Sequence, residues 1–352
     1  MRVGLLLGSG NPSFGGVERH VIQLANGLVQ AGHRAFILMG HPCPIDVDHG
    51  LQAGIEAFRL PVPDGRSFPA FTGAVLRRVR RLRPCVLHSH LTYGLAAAVA
   101  ARAVLGTRLV HTEHFLVRKS GDQGLRGRVG ATLRGRADAL IFVSRAAQVG
   151  CAVAWGKPSQ HVIYNGTDPL PDREARRPTT RLLYMGRLEP EKRVDLALAL
   201  VRALQDEGYT LDVVGTGSLA GKLQRDAVDL VEGGVVRFHG WQADVGRFLA
   251  DAGALIQPAQ EGLGYSALEA TAYGLPVVAP ANSGAAEVVE RTGYGAIVQD
   301  AARVDGWVEA IHGLSALPAD SGGLPEVFHR RHMLAATMGV YADLWRRANQ
   351  GA

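Results

Sequence analysis

Short apolar runs that end in Gly, Ser or His, each followed by a helical pattern, recur along both halves of this chain. In the first half Val3–Leu7, Ala35–Met39, Val86–His88, Leu109–Thr112 and Ala139–Val143 read as strands. In the second half Arg181–Met185, Thr210–Val214, Val235–His239, Ala254–Gln257 and Pro276–Ala279 read the same way. Strands that alternate with helices imply parallel sheets covered on both faces. The chain is therefore read as α/β, with two doubly wound domains. Such sheets bind ligands at the carboxyl ends of their strands. The turn-rich segment Asn165–Pro178 is the natural linker. It divides an N-terminal domain, 1–170, from a C-terminal domain, 171–329, and 352 residues suffice for both. A last helical pattern, Phe328–Arg347 (about 330–352 at its widest), repeats Leu334, Met338, Tyr341 and Trp345 on one face and is expected to return to the first domain.

Composition narrows the class. Hydrophobic residues make up 47% and charged residues 20%, as in a soluble globular protein. Cys43, Cys85 and Cys151 are odd in number and far apart, which argues against disulfides and zinc and fits a reducing cytoplasm. The apolar start Met1–Gly8 is too short for a signal peptide and reads as a buried strand. No run reaches membrane-spanning length. The net charge of +6 suits anionic partners, but no zinc finger, RNA-binding aromatic pair or basic arm points to nucleic acid.

The densest chemistry lies in Pro258-Ala-Gln-Glu-Gly-Leu-Gly-Tyr-Ser-Ala-Leu-Glu269. Two carboxylates, Glu261 and Glu269, flank a glycine loop that runs into a helix. The N–H groups of a helix N-terminus receive an anion. Gly264, Tyr265 and Ser266 occupy that start. Such a segment can hold a phosphate on its amides and hydroxyls on its carboxylates, which are the groups of a nucleotide-sugar. Arg187 and Lys192 follow another strand end at Gly186, where cations can neutralise a pyrophosphate; solvated surface charges are the plain alternative. Gly15 and Gly16 open the first helix, whose buried face is Val17, Val21, Leu24 and Leu28; a plain strand–helix turn is the alternative. Val213–Ala220 matches the dinucleotide fingerprint G-x-G-x-x-A, but the acidic residue expected after the next strand is missing. It reads as a glycine turn beside a nucleotide base.

His114 closes Arg108–His114 at a strand end and is expected to face the ligand edge, whereas His111 reads as a core residue. His88 and His90 end the preceding strand, without a metal-site spacing. Asp46 and Asp48 form a D-x-D triplet in a loop, read as solvated carboxylates. Arg77–Arg83 puts five arginines on a short helix, backed by Val75, Val79 and Leu82. A solvated face is the default reading, and peripheral contact with an anionic membrane is the alternative, with Arg126, Arg128, Arg134 and Arg136 adding to it.

Taken in order, these motifs resemble the GT-B-fold retaining glycosyltransferases of family GT4. The first-domain segments are Gly15–Arg19, Ala31–His33, Pro84–His90, Thr112–His114, Val143-Ser144 and Ile163–Asp168. The second-domain segments are Gly186–Lys192, Val214–Gly217, Phe238–Gly240, Glu261–Glu269, Gly274–Val278 and Ser283–Glu287. The resemblance covers nearly the whole chain, and its most specific part is the pair of glutamates with their flanks. It implies two Rossmann-like domains facing across a cleft, a nucleotide-sugar donor on the second and an acceptor on the first. It implies that Arg187 and Lys192 bind the diphosphate and Glu269 the ribose. Gly264, Tyr265 and Ser266 would meet sugar and phosphates, and Gly16 the diphosphate. Glu261 and His114 would lie near the reacting sugar. Cys85 stands where the family often has Asp, and Gly284-Ala285 where it usually has a glycine pair.

The function so implied is retaining transfer of a hexosyl or N-acetylhexosaminyl group, UDP-linked at the family level, to a glycan, lipid-linked glycan or small metabolite. Neither a metal nor another cofactor is expected, because cations and helix amides would stabilise the leaving phosphate. The place of action is expected to be the cytoplasm or the inner face of its membrane. A GT-B nucleotide-sugar epimerase, a non-catalytic nucleotide-sugar-binding protein and an NAD-dependent enzyme are the alternatives.

Overall fold

A computed structural model describes residues 1–8, 14–43, 45–61, 67–116, 124–149, 151–170, 179–318 and 322–350. Two compact units form. One is Met1–Asn165 with Arg330–Ala352, and the other is Gly166–His329.

The first unit runs β1 (Arg2–Leu7), α1 (Gly16–Gln30), β2 (Arg34–Gly40), β3 (Glu56–Leu60), α2 (Phe68–Leu82), β4 (Val86–His90), α3 (Thr92–Leu105), β5 (Arg108–Glu113), α4 (Leu125–Arg134), β6 (Ala139–Phe142), α5 (Arg145–Gln148) and β7 (Ser159–Val162). Its parallel sheet has the order β3-β2-β1-β4-β5-β6-β7. The order reverses between β1 and β4, which are neighbours in the sheet. The predicted face of α1 is buried at Val21, Leu24 and Leu28, with Val17 partly so, and it packs against β1 residues Val3, Leu5 and Leu7. Each fully buried leucine contributes about 1.5–3 kcal/mol. On α2, Val75 and Val79 are buried, Arg77, Arg80 and Arg81 are exposed, and Arg78 lies over the Phe58 ring.

The second unit runs β8 (Arg181–Met185), α6 (Val194–Leu204), β9 (Thr210–Val214), α7 (Ala220–Asp226), α8 (Val228–Glu232), β10 (Val236–Gly240), α9 (Gly246–Asp251), β11 (Ala254–Ile256), α10 (Tyr265–Ala272), β12 (Val277–Pro280), α11 (Gly284–Thr292), β13 (Gly295–Val298) and α12 (Val304–Gly313). Its sheet, also parallel, is ordered β10-β9-β8-β11-β12-β13, so β8 and β11 flank the reversal. One core lies between the sheet and α6, α7, α8 and α12, and the other beneath α9, α10 and α11.

Three strands, β3, β7 and β13, lie outside the sequence expectation. All three are edge strands, and a strand with one neighbour and a partly solvated face does not need a continuous apolar run. The last helix, α13 (Arg330–Gln350), packs on α1 within the first unit. Its buried face is Met333, Thr337, Val340, Tyr341 and Leu344. The expected stripe was rotated by one residue. Leu334 and Met338 flank the face, and Trp345 is exposed. Tyr341 lies in both the expected and the observed face, and its hydroxyl pairs with the buried His88. Residues 171–178 of the expected linker lie outside the described residues.

Candidate active site

In the second unit the carboxyl ends of β8 and β11 carry the charged residues singled out from the sequence. This is the point of strand reversal where doubly wound sheets leave a crevice. After β8 the backbone turns through Gly186, Arg187 and Leu188. The glycine turn after β9 lies against it: Leu188 N–H donates to the Thr216 carbonyl (2.9 Å) and Leu219 N–H to the Leu188 carbonyl (2.9 Å). A Cβ on Gly215 would sit 1.9 Å from the Gly186 oxygen. The fingerprint-like glycines therefore permit one loop to rest on another. Glu189 accepts from the Ser218 hydroxyl and backbone N–H, and these bonds lower its pKa.

Lys192 ends a short 3-10 turn, Pro190–Lys192, and its Nζ lies 2.6 Å from Glu261 Oε2. A charge-assisted contact of this kind is worth about 1.5–3 kcal/mol. Gln257 follows β11, and its Nε2 donates to Glu261 Oε1 at 2.7 Å. Ser266 Oγ donates to Gln257 Oε1 at 2.7 Å. Both oxygens of Glu261 thus have partners. The Glu261 carbonyl accepts from Gly284 N–H at 2.9 Å. Gly284 stands where the family usually has a glycine, and the structure gives the reason: its Cβ would lie 1.7 Å from the Gly262 oxygen. Ala285, at the second position of that pair, is buried in the core beside it.

Helix α10 starts at Tyr265, and its N-cap residue, Gly264, has no side chain to cap it. Its first-turn amides face the end where an anion is favoured. Tyr265 is buried, Ser266 half-buried, and Glu269 half-buried in the second turn. Arg187 is a third exposed and pairs loosely with Glu191 at 3.4 Å. Beneath it, the Tyr184 hydroxyl donates to the Arg187 carbonyl at 2.9 Å. Burial, then the negative charge of Glu261, holds that phenol well above its ordinary pKa, so it stays a donor.

In the first unit the carboxyl ends of β4 and β5 hold a histidine cluster. His90 Nδ1 and His114 Nε2 share a hydrogen bond of 2.9 Å, and His20 of α1 meets the His114 ring edge-on at 5.0 Å. His20 Nδ1 bonds Asn165 Oδ1 at 3.0 Å. Burial, reinforced by mutual repulsion, pushes His88, His90 and His114 well below the usual histidine pKa, and burial takes His20 to about 4. The rings are neutral at pH 7. Nitrogens of His20, His90 and His114 lie within 4.8 Å of one another, so among the described residues this trio is the group able to share a cation. His111 bonds Ser89 within the sheet, as a core residue does. Gly16 is exposed at the first position of α1. Asp46 of the D-x-D triplet is engaged by His49 at 2.6 Å and serves its own turn.

Of the residues singled out, Arg187, Lys192, Glu261, Gly264, Tyr265, Ser266 and Glu269 belong to the second unit, and Gly16 and His114 to the first. Gln257, His20 and His90 complete these groups. A glutamine at the end of an apolar strand was the available signal for Gln257. The histidine pairing has no local signal, because its members are far apart in the chain.

Comparison with known proteins decides the family. Residues 14–169 match Glycosyltransferase Family 4, and residues 179–316 match Glycosyl transferases group 1. The chain belongs to glycosyltransferase family GT4. This GT4 enzyme is 29% identical to the glycogen synthase of Mycobacterium tuberculosis over 85% of its own length and 82% of that protein. It is 28% identical to the GDP-mannose-dependent alpha-mannosyltransferase of Mycolicibacterium smegmatis, over 98% and 94%. Its GT-B fold is that of the sucrose-phosphate synthase of Thermosynechococcus elongatus, with a TM-score of 0.80 at 20% identity over 99% and 100% of the two chains. Anabaena HepE, solved in complex with UDP, gives 0.75 at 19% identity over 97% and 100%. Among the described residues, no helix of this glycosyltransferase is long and apolar enough to cross a membrane.

Proposed function

We propose that this glycosyltransferase moves a hexosyl or N-acetylhexosaminyl group from a UDP-linked sugar to a hydroxyl of a glycan, lipid-linked glycan or small metabolite, with retention and without a metal. One observation carries the reading: Arg187, Lys192 and the start of α10, with glycine at its N-cap, stand at the β8–β11 reversal, beside a carboxylate already held in place. The relatives that name a nucleotide or were solved with one differ between GDP and UDP, so the nucleotide is the finest part of the proposal.

In the proposed reaction the bond from the anomeric carbon to the phosphate oxygen breaks first, and charge builds on the sugar and the departing diphosphate. Arg187, Lys192 and the amides of Gly264, Tyr265 and Ser266 stabilise the diphosphate, which is electrostatic preorganisation. Lys192 turns from Glu261 toward the diphosphate, and Glu261 accepts from a hydroxyl of the sugar. The acceptor oxygen bonds the anomeric carbon from the side the phosphate leaves, and its proton passes to the leaving phosphate oxygen. Glu269 holds the ribose. Gly16 offers its backbone to the diphosphate, and His114, neutral in its cluster, bonds a sugar hydroxyl. The exposed arginines Arg77, Arg80, Arg81 and Arg83 are proposed to touch an anionic membrane on the cytoplasmic side.

The test is UDP release from a panel of UDP-sugars, with the anomeric configuration of the product read by NMR. An inverted product, or Glu261→Ala and Arg187→Ala variants as fast as wild type, would remove the reading.

A further inference from the structure

We propose that Gln257 is a positioning residue for this reaction: its amide keeps the Glu261 carboxylate and the Ser266 hydroxyl in their working arrangement while the donor is bound. The inference rests on the function proposed above and concerns a residue outside its diphosphate and sugar contacts.

Gln257 is 3% exposed at the carboxyl end of β11, one of the two strand ends that carry the site. A buried amide without partners is costly. The two bonds found for its head both go to site residues, Glu261 at 2.7 Å and Ser266 at 2.7 Å. The orientation is forced. An ionised carboxylate only accepts hydrogen bonds, so the amide nitrogen must face Glu261, and the oxygen is left for the Ser266 hydroxyl.

The need for this clamp follows from what Lys192 must do. Glu261 is held from two sides, by Lys192 on Oε2 and by Gln257 on Oε1. A diphosphate draws Lys192 away or shares it. Gln257 then remains as the anchor of the carboxylate. It also uses the Ser266 proton, so the Ser266 oxygen can only accept from the donor, while the Ser266 backbone N–H serves the phosphate. The clamp therefore acts on the sugar end of the donor and leaves the nucleotide end alone.

Two variants test this. In Q257E the new carboxyl is buried against Glu261, and both burial and like charge raise its pKa above the unfolded value of about 4.3. A group with a raised folded pKa contributes stability below the unfolded pKa and loses it as pH rises through the folded one. The melting temperature of Q257E, measured without donor, is expected to fall further below wild type at pH 8 than at pH 5. A constant difference overturns the proposed geometry.

The second measurement is UDP release from UDP-glucose, with UDP affinity by calorimetry. Q257M removes both bonds at similar volume. Its kcat is expected to drop by about 100-fold, the scale of a small misplacement at a reacting centre, while KM and UDP affinity stay near wild type. Q257E, as a ratio to wild type at each pH, is expected to approach wild type at pH 5, where the protonated acid donates to Glu261 and accepts from Ser266. At pH 8 it is expected to fall toward Q257M. Equal losses in kcat and UDP affinity, or no recovery of Q257E in acid, overturn the positioning role. Failure of the underlying function looks different: wild type releases no UDP, or an E261A variant is as fast as wild type. Either result removes the reaction that Gln257 serves, and the donor-free melting result is unaffected.

Discussion

Replacing Gly284 by alanine probes the site without touching any group that meets the donor. The added Cβ would lie 1.7 Å from the carbonyl oxygen of Gly262 and 2.8 Å from the Cα of Leu263. A carbon–oxygen contact needs about 3.3 Å, so one backbone must move by roughly 1.5 Å. Gly262 adjoins Glu261, and the Glu261 carbonyl itself accepts from Gly284 N–H. The shift passes directly into the carboxylate, whose bonds to Lys192 and Gln257 are 2.6 and 2.7 Å long. Neither survives a displacement of that size. The expected cost is about 100-fold in kcat/KM for UDP release, since a 1 Å error at a reacting centre costs that much. Stability falls by about 1–3 kcal/mol from overpacking, which outweighs the gain of up to about 1 kcal/mol in helix propensity. Gly313→Ala is the control, because no atom of the described residues lies within 4 Å of the site of its added carbon; it leaves the rate unchanged. A Gly284→Ala enzyme with wild-type rates would refute the claim that this contact fixes Glu261.

Three further outcomes are expected. His20 has a folded pKa of about 4 against 6.5 in the unfolded chain, so its stabilising effect is full above pH 6.5 and is lost as pH falls toward 4. By pH 4.5 this one ring costs about 2.5 kcal/mol, and urea titrations at pH 7.5 and 4.5 should show a smaller acid loss for His20→Gln than for wild type; equal losses would contradict the burial argument. Lys192→Ala leaves Glu261 with Gln257 alone and removes a phosphate partner, so calorimetry should show weaker UDP binding, whereas unchanged binding would take Lys192 out of the donor site. EDTA should leave UDP release unchanged, and activity lost to EDTA and restored by Mg²⁺ would end the metal-free proposal.

The sequence displays what a local pattern can carry. The central strands β1, β4, β8, β11 and β12 are buried on both faces, and their apolar runs announce them. The edge strands β3, β7 and β13 satisfy weaker demands and leave weaker marks. Glu261 and Glu269 stand out because a glycine loop and a helix start lie between them. What they bond to does not stand out. Lys192 and Glu261 are 69 positions apart, and only the β8–β11 pairing brings them within 2.6 Å. The His20–His90–His114 group is legible for the same reason only after folding, because its members come from different strands and helices, whereas Gln257 meets partners four and nine positions on in its own segment. Trp345 shows the opposite failure. Its spacing fits a helical face, yet the buried face of α13 lies one residue round from it and leaves Trp345 exposed.

The helix that carries Tyr341 bears on how the chain is made. Met333, Val340, Tyr341 and Leu344 pack in the core of the first unit but are synthesised after the whole of the second. The second unit, Gly166–His329, is complete in sequence before they emerge from the ribosome. The unit that is begun first is therefore finished last, and until then α1 waits with one apolar flank uncovered. A nascent chain halted near residue 330 would hold a complete second unit and a first unit still lacking its closing helix.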